Sequence, residues 1–172
     1  MKILNLYPLA VLLALFFSPS ASTAAEWQIK QGPMMTKWAE NIDPSNVMPE
    51  YPRPQMQRDE WMNLNGLWDL RKGTIDEPYS ATFSYDKEIL VPFPIESALS
   101  GVMEKSDEQC YWYRRTFSLP ESMKGKNIIL HFGAVDWETV VYVNGKKVGR
   151  HTGGYDPFYF DITAALNKSG EQ

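Results

Sequence analysis

The chain is poor in the residues that build metal sites and nucleophile sites. Its 172 residues include one cysteine and two histidines. A single cysteine excludes a disulfide framework and a cysteine-rich zinc module. His131 and His151 have no third ligand at metal spacing, and no G-x-S-x-G pattern surrounds a serine. We therefore expect no metal and no cofactor. We interpret both histidines as structural residues with satisfied hydrogen bonds, and Cys110 as a half-buried small side chain.

A surplus of basic charge and a second long apolar run are also missing. Seventeen Lys and Arg stand against 21 Asp and Glu, so the formal net charge is −4. Nucleic-acid binding through counterion release needs a basic surplus, so we expect no nucleic-acid partner. The one long apolar run, Leu9–Phe17, follows Lys2 and precedes small residues that end at Ala25.

That order of charge, short apolar run and small residues is typical of a secretory signal peptide. A membrane anchor is the alternative, but a span needs roughly 20 apolar residues and this run is shorter. The sequence predicts a signal peptide over residues 1–25, cleavage after Ala25 or one residue earlier, and a periplasmic or secreted product. We expect no membrane association after cleavage.

Residues 26–55 are predicted to form an extended amino-terminal arm. Proline is excluded from helix interiors and from central strands, and this stretch is rich in it. Trp27 and Trp38 are the expected anchors of the arm on a neighbouring surface. The prolines are Pro33, Pro44, Pro49, Pro52 and Pro54.

Residues 56–172 carry short alternating apolar runs separated by turn residues. Such a pattern predicts seven or eight strands in an antiparallel β-sandwich. Asn144-Gly145 between two apolar runs predicts a two-residue hairpin turn. The chain then stops at a polar turn, which leaves a sheet edge unpaired, so we expect the front part of a longer protein. The predicted strands begin near Gly66 and cover Lys87–Val91, Tyr111–Leu119, Asn127–Phe132, Glu138–Val143, Lys147–His151 and Phe158–Ile162.

Two carboxylates flank Trp137 and are the first candidates for chemistry. Residues i and i+2 of a strand share a face and lie roughly 6–7 Å apart, so Asp136 and Glu138 meet the spacing that glycosidase carboxylates need. A solvated strand entry explains the same pattern and is the preferred interpretation. Arg114 and Arg115 lie on opposite faces of their strand, with Arg115 expected to face an aromatic stripe. Either an internal ion pair or a contact to a neighbouring domain accounts for them.

Several ordered runs together resemble the amino-terminal domain of glycoside hydrolase family two. That family includes β-galactosidases, β-glucuronidases and β-mannosidases. The resemblance covers about residues 56–167 and is specific for the family, although not for the sugar. The runs are Leu64–Asp69, Val91-Pro92 with Glu96-Ser97, Trp112–Phe117, Leu130–Asp136 with Val141–Gly145, and His151–Phe158 with Phe160–Thr163.

The resemblance implies an all-β, galactose-binding-like jelly roll that lacks its last strand or strands. In the family an immunoglobulin-like domain and a TIM barrel follow, and the acid/base and nucleophile glutamates of the retaining reaction are on the barrel. We therefore assign no catalytic residue here and expect carbohydrate, a β-linked glycan or oligosaccharide, as the partner. A stand-alone carbohydrate-binding module and an inactive truncated product remain alternatives. The residues expected at the rim of the sugar pocket are Glu96, Ser97, Glu104, Trp112, Asp136, Trp137 and Glu138.

Overall fold

The computed structural model describes residues 26–32, 35–105 and 110–172. The predicted signal peptide, residues 1–25, lies outside the described residues. Among those that are described, no helix is long and apolar enough to cross a membrane. The strands are β1 (Gly66–Gly73), β2 (Lys87–Val91), β3 (Cys110–Arg114), β4 (Ile129–Phe132), β5 (Glu138–Val143), β6 (Lys146–Thr152) and β7 (Phe158–Asp161). Short 3₁₀ helices span Lys37–Asn41, Pro54–Met56, Ala98–Ser100, Glu121–Met123 and Thr163–Ala165.

All the strand pairs are antiparallel, as the alternating pattern predicts. The first sheet has the order β2-β1-β3, while β4 pairs with β7 and β5 pairs with β6. The all-β antiparallel class is confirmed. The strands are short because glycine, proline and asparagine interrupt the apolar runs every few residues.

The first sheet has its own apolar core. Leu70 of β1 and Ile89 of β2 are 1% and 0% exposed. Ile95 and Val102, from the loop that follows β2, pack against them, and Trp68 covers the side. This loop is therefore part of the core, which holds its Glu96–Glu104 stretch against the sheet.

A second core joins the two remaining strand pairs. Val143 at the end of β5 packs with Ile162 and Ala165, which follow β7. Gly149 of β6 lies directly under the ring of Phe160, because a Cβ at position 149 would stand 2.0 Å from Phe160 Cε1. The glycine lets the two pairs approach closely.

The predicted Asn144-Gly145 hairpin is confirmed. Asn144 and Gly145 have φ of 49° and 80°, the positive values that a two-residue turn between twisted strands requires. The Asn144 amide donates to Ala165 O at 3.0 Å, which ties the turn to the second core.

The single strand predicted over Tyr111–Leu119 is wrong. β3 ends at Arg114, and Ser118 forms an isolated antiparallel bridge with Glu171. Arg115 follows directly after β3, and among the described residues its hydrogen bonds go to backbone carbonyl oxygens. Its Nη1 donates to the carbonyl oxygens of Asn65 and Leu67 at 3.0 and 3.2 Å.

The first described residues attach to the loop after β2. Trp27 N donates to Glu88 Oε2 at 3.0 Å, and its indole nitrogen donates to Leu99 O at 3.3 Å. A Cβ at Gly101 would stand 2.2 Å from the Trp27 ring, so the indole lies flat against that glycine. Trp27 is thus an anchor as expected. Trp38 is not one, because it is 69% exposed.

Candidate functional site

An exposed corner forms where the chain enters β5 and leaves β6. Glu138 pairs with Thr152 in the β5–β6 ladder, so Trp137 and Gly153 meet at the end of the hairpin. Gly153 N donates to Trp137 O at 2.8 Å. Trp137 is 66% exposed, and Tyr155 on the facing loop is 97% exposed. The hairpin register therefore brings two separate aromatic residues to one end of the sheet, and we call this group, Asp136–Glu138 with Gly153–Asp156, the corner.

The Asp136 carboxylate is seated against a glycine of the facing loop. A Cβ at Gly154 would stand 2.6 Å from Asp136 Oδ1. Only glycine leaves room for the carboxylate at this place. The corner thus combines exposed aromatic surface with a hydrogen-bond acceptor, which suits a sugar ring with its apolar face and its hydroxyl groups.

Glu138 is committed to an ion pair across the hairpin. Its two carboxylate oxygens accept from Arg150 Nε and Nη2 at 2.8 and 2.7 Å. This hydrogen bonding by Arg150 lowers the pKa of Glu138 below its usual 4.5. A carboxyl group that stays ionised at neutral pH is a poor proton donor, so Glu138 is not placed to act as a general acid.

His151, beside the corner, differs from the expected structural histidine with satisfied hydrogen bonds. Its ring stacks on Phe158 with centroids 4.1 Å apart. Its Nε2 is buried and has no hydrogen-bond partner within the described residues. The expectation is wrong for this atom because stacking on Phe158, and not hydrogen bonding, places the ring.

His131 lies on β4, with its ring 5.5 Å from Tyr159. Desolvation first, and then the charges of Arg53 and Arg58, lower the pKa of His131 below its usual 6.5. A histidine held neutral beside two arginines is poorly suited to proton donation at neutral pH.

The expected rim residues of the loop after β2 have local partners. Ser97 Oγ accepts from Ser100 N at 3.1 Å and caps the short helix there. Glu104 forms ion pairs with Lys87 and, at 3.7 Å, with Lys72. The hydrogen bond from Lys87 is the main cause that lowers the pKa of Glu104.

Glu96 lies near Tyr113. Burial first, then Tyr111 and the charge of Glu96, raise the pKa of Tyr113 to about 12. Among the described residues, no hydrogen bond or ion pair joins Glu96, Ser97 or Glu104 to the corner, which therefore contains only Asp136, Trp137 and Glu138 of the predicted rim residues.

Trp112 lies within an aromatic cluster. Its indole nitrogen donates to Glu77 Oε2 at 3.0 Å, and its ring centroid is 5.0 Å from that of Phe83. Tyr79 stacks on Tyr142 at 4.6 Å in the same cluster and links β1–β3 to the β5–β6 hairpin. The Trp112 ring lies 6.2 Å from that of Tyr142, so it links the first sheet to the hairpin, and its role at a sugar stays a prediction.

The two neighbouring arginines of the W-Y-R-R run have different partners. Arg114 forms an exposed ion pair with Asp69, with 2.7 Å from Nη2 to Oδ2, and its guanidinium lies 4.2 Å over the Tyr85 ring. Arg115 contacts only backbone carbonyl oxygens within the described residues. Of the two interpretations offered for this pair, Arg114 fits the internal ion pair.

One polar cleft was missed by sequence reasoning. It has a volume of about 330 Å³ and lies between the segment around Asn46 and the segment Trp61–Asn65, with Arg115 at its wall. The closely spaced Asn63 and Asn65 before Gly66 were the available signal, because asparagine amides often cross-link loops.

Among the described residues, no group of three or more His, Cys, Asp or Glu side chains is placed to hold a metal ion.

Comparison with known proteins identifies the domain. A family model described as the sugar binding domain of family 2 glycosyl hydrolases matches residues 37–172. The chain belongs to this family. It is 26% identical over 118 residues to a β-glucuronidase of Paenibacillus borealis, covering 66% of this chain and 20% of that protein. It is 54% identical over 52 residues to a β-galactosidase of Thermoanaerobacter pseudethanolicus, covering 30% of this chain and 7% of that protein.

Solved structures agree with the family and with its β-sandwich fold. The structure of Bifidobacterium dentium β-glucuronidase is similar with a TM-score of 0.51 and 30% identity. That match covers 63% of this chain and 18% of the enzyme. The chain therefore spans about a fifth or less of the length of these relatives and corresponds to their sugar-binding domain, not to the catalytic barrel.

Proposed function

We propose that the chain is the amino-terminal sugar-binding part of an exported glycoside hydrolase that cleaves β-linked glycans with retention of configuration. The observation that carries this proposal is the family match over residues 37–172. The relatives named β-glucuronidase and β-galactosidase support a β-glycoside as substrate. An immunoglobulin-like domain and a TIM barrel that bears the catalytic glutamates complete the proposed enzyme.

Within that enzyme the corner lines the rim of the sugar pocket. Trp137 and Tyr155 offer aromatic faces to the apolar side of a sugar ring, and Asp136 accepts hydrogen bonds from hydroxyl groups. The Arg150–Glu138 pair holds the strand entry rigid beside them. The domain itself then positions sugar and packs on the barrel, while the bond is broken elsewhere.

Chromogenic β-glucuronide and β-galactoside assays on the purified 172-residue chain test this division of labour. We expect no turnover, because Arg150 hydrogen-bonds both carboxylate oxygens of Glu138 and the acid/base and nucleophile glutamates of the proposed enzyme lie on the barrel. Turnover that disappears in Asp136→Asn or Glu138→Gln would contradict the proposal. An in-frame continuation of the coding sequence into further domains supports it, and an immediate stop favours an inactive truncated product.

The exposure of Trp137 and Tyr155 also favours a second candidate, a stand-alone carbohydrate-binding module. Titration of β-linked oligosaccharides against the isolated chain discriminates the two. Saturable binding that is lost in Trp137→Ala supports a module, and Trp38→Ala is the matched control because Trp38 is similarly exposed outside the corner. If the unchanged chain, Trp137→Ala and Trp38→Ala all show no binding, the result favours a packing domain.

Export is the remaining part of the proposal. The mass of the product recovered from the periplasm or the medium tests it. We expect an amino terminus at Glu26, or at Ala25 if cleavage falls one residue earlier. Recovery of the intact chain in the membrane fraction would favour the anchor instead.

A further inference from the structure

The polar cleft beside Arg115 has the size and rigidity of a small-ligand site. Its volume of about 330 Å³ is at the lower end of the range of roughly 300–1,000 Å³ found for ligand pockets. Asn63 Nδ2 donates to Met48 O at 2.9 Å, and Asn65 Nδ2 donates to Val47 O at 3.4 Å. These bonds hold the two walls of the cleft together.

Arg115 supplies a positive charge that has no acidic partner in the described part of the chain. Its side chain is half-buried, and only Nη1 is engaged, by the carbonyl oxygens of Asn65 and Leu67. Burial lowers the pKa of this guanidinium, so its charge is poorly solvated. Charges removed from water are normally paired, and an arginine fork fits a carboxylate with two parallel hydrogen bonds.

Three acids in the segments around this arginine, Asp43, Asp69 and Glu88, already have other partners. Asp69 and Glu88 line the adjoining cleft with Arg115, but Asp69 pairs with Arg114 and Glu88 accepts from Trp27 N. The Asp43 carboxylate accepts from Ser45 N and Oγ at 2.9 and 2.7 Å. An incoming anion would therefore meet Arg115 without displacing a carboxylate from it.

Gly66 keeps the guanidinium in place. With φ of +121°, a Cβ at Gly66 would stand 2.8 Å from Arg115 Nη1 and 3.1 Å from Pro44 O. Any side chain there would push the guanidinium out of the cleft wall. The position of the charge is thus built into the turn that opens β1.

We propose that this cleft is a carboxylate-binding site, in which the free fork of Arg115 holds the carboxylate. The exposed amide of Asn46 and the ring of Trp61 contact the remainder of a ligand about the size of one sugar ring. The carboxylate comes either from an acidic sugar or from an Asp or Glu side chain of a polypeptide packed on this face. The cleft shares no residue with the corner, so this inference stands apart from the proposed function.

The site is tested by titrating the chain at constant ionic strength with D-glucuronate, acetate, N-acetyl-L-glutamate and D-glucose. Binding is measured by NMR chemical shifts or by calorimetry. We expect carboxylates to bind and D-glucose not to bind. Arg115→Lys should weaken carboxylate binding roughly tenfold, because the planar fork is lost while the charge remains. Asn46→Ala should weaken the binding of D-glucuronate by a smaller factor. It should leave the fold unchanged, since the Asn46 side chain is exposed.

Arg114→Lys is the matched control, because it changes the neighbouring arginine, which is already paired with Asp69. Trp38→Ala changes an exposed tryptophan outside both the cleft and the corner, and both variants should bind as the unchanged chain does. Tighter binding of D-glucuronate than of acetate and N-acetyl-L-glutamate assigns an acidic sugar, and tighter binding of N-acetyl-L-glutamate than of acetate and D-glucuronate assigns a protein side chain. Carboxylate binding that is unchanged in folded Arg115→Lys, D-glucose binding equal to that of D-glucuronate, or no carboxylate binding at all would overturn the proposal.

Discussion

Replacement of Gly149 by alanine is the sharpest test of how the two strand pairs pack. A Cβ at this position would stand 2.0 Å from Cε1 and 2.3 Å from Cδ1 of Phe160. Ordinary carbon contacts are near 3.5–4.0 Å, so either the ring or the strand must move by more than an ångström. Gly149 has no positive φ, and the backbone therefore accepts alanine without strain.

The expected cost is the cost of over-packing alone. Extra methyl groups in a filled core destabilise by about 1–3 kcal/mol, and the rigid ring places this substitution at the upper end, near 3 kcal/mol. For a domain of this size that free energy lowers the Tm by about 10 °C. Thermal and urea unfolding followed by circular dichroism measure it.

Gly133→Ala is the matched control, because a Cβ at Gly133 would meet nothing within 4 Å and its φ is not positive. We expect a change within about 0.5 kcal/mol there. The double variant Gly149→Ala/Phe160→Leu should lose less stability than the two single variants lose in sum. The two positions are in contact, so a smaller side chain at 160 makes room for the new methyl group. A Gly149→Ala protein that unfolds at the same temperature as Gly133→Ala would refute the described packing of β6 on β7.

Three further perturbations follow from local geometry. Gly145→Ala should lower the free energy of unfolding by about 1–2 kcal/mol, as measured by urea unfolding. The cost comes from the positive φ of +80° alone, because a Cβ there would make only an ordinary contact. An unchanged urea midpoint would contradict the described turn. The pKa of Glu104 is lowered mainly by Lys87, so its stabilising contribution is present above the usual 4.5 and is lost as pH falls through the lowered value. The Tm gap between the unchanged protein and Glu104→Gln should therefore narrow as the pH falls below the usual pKa of 4.5, and a constant gap would contradict this. Trp27→Ala should cost about 1–2 kcal/mol and expose the first described residues to protease, since the half-buried indole packs on Gly101; unchanged cleavage would show that the anchor contributes nothing.

Local sequence patterns predicted the local structure well. Lys87–Val91 and Glu138–Val143 form strands with the predicted bounds, and the Asn144-Gly145 turn joins the predicted hairpin. These features depend on neighbours in the chain, through alternation and positive φ, and such information is fully present in a short window. The family motifs were recognisable for the same reason.

Features that depend on distant partners were predicted less well. Tyr111–Leu119 alternates over its whole length, yet the strand ends at Arg114, and the next residue, Arg115, bonds to the carbonyl oxygens of Asn65 and Leu67, 50 and 48 residues away. Trp27 and Trp38 look equivalent in the sequence, and only the contacts of Trp27 with Glu88, Leu99 and Gly101 make it an anchor. The rim residues were predicted as one group, but the fold brings only Asp136–Glu138 to the corner.

By itself the sequence determined the antiparallel β class, the hairpin turn and the membership of the family, since each follows from residue types at short spacing. Only the tertiary structure decided that Trp137 meets the loop of Gly154 and Tyr155, and that Arg115, beside a polar cleft, has no acidic partner among the described residues. The reason is that hydrogen bonds and close contacts between distant segments depend on how strands pair in space, and no local pattern encodes which partner a side chain will meet.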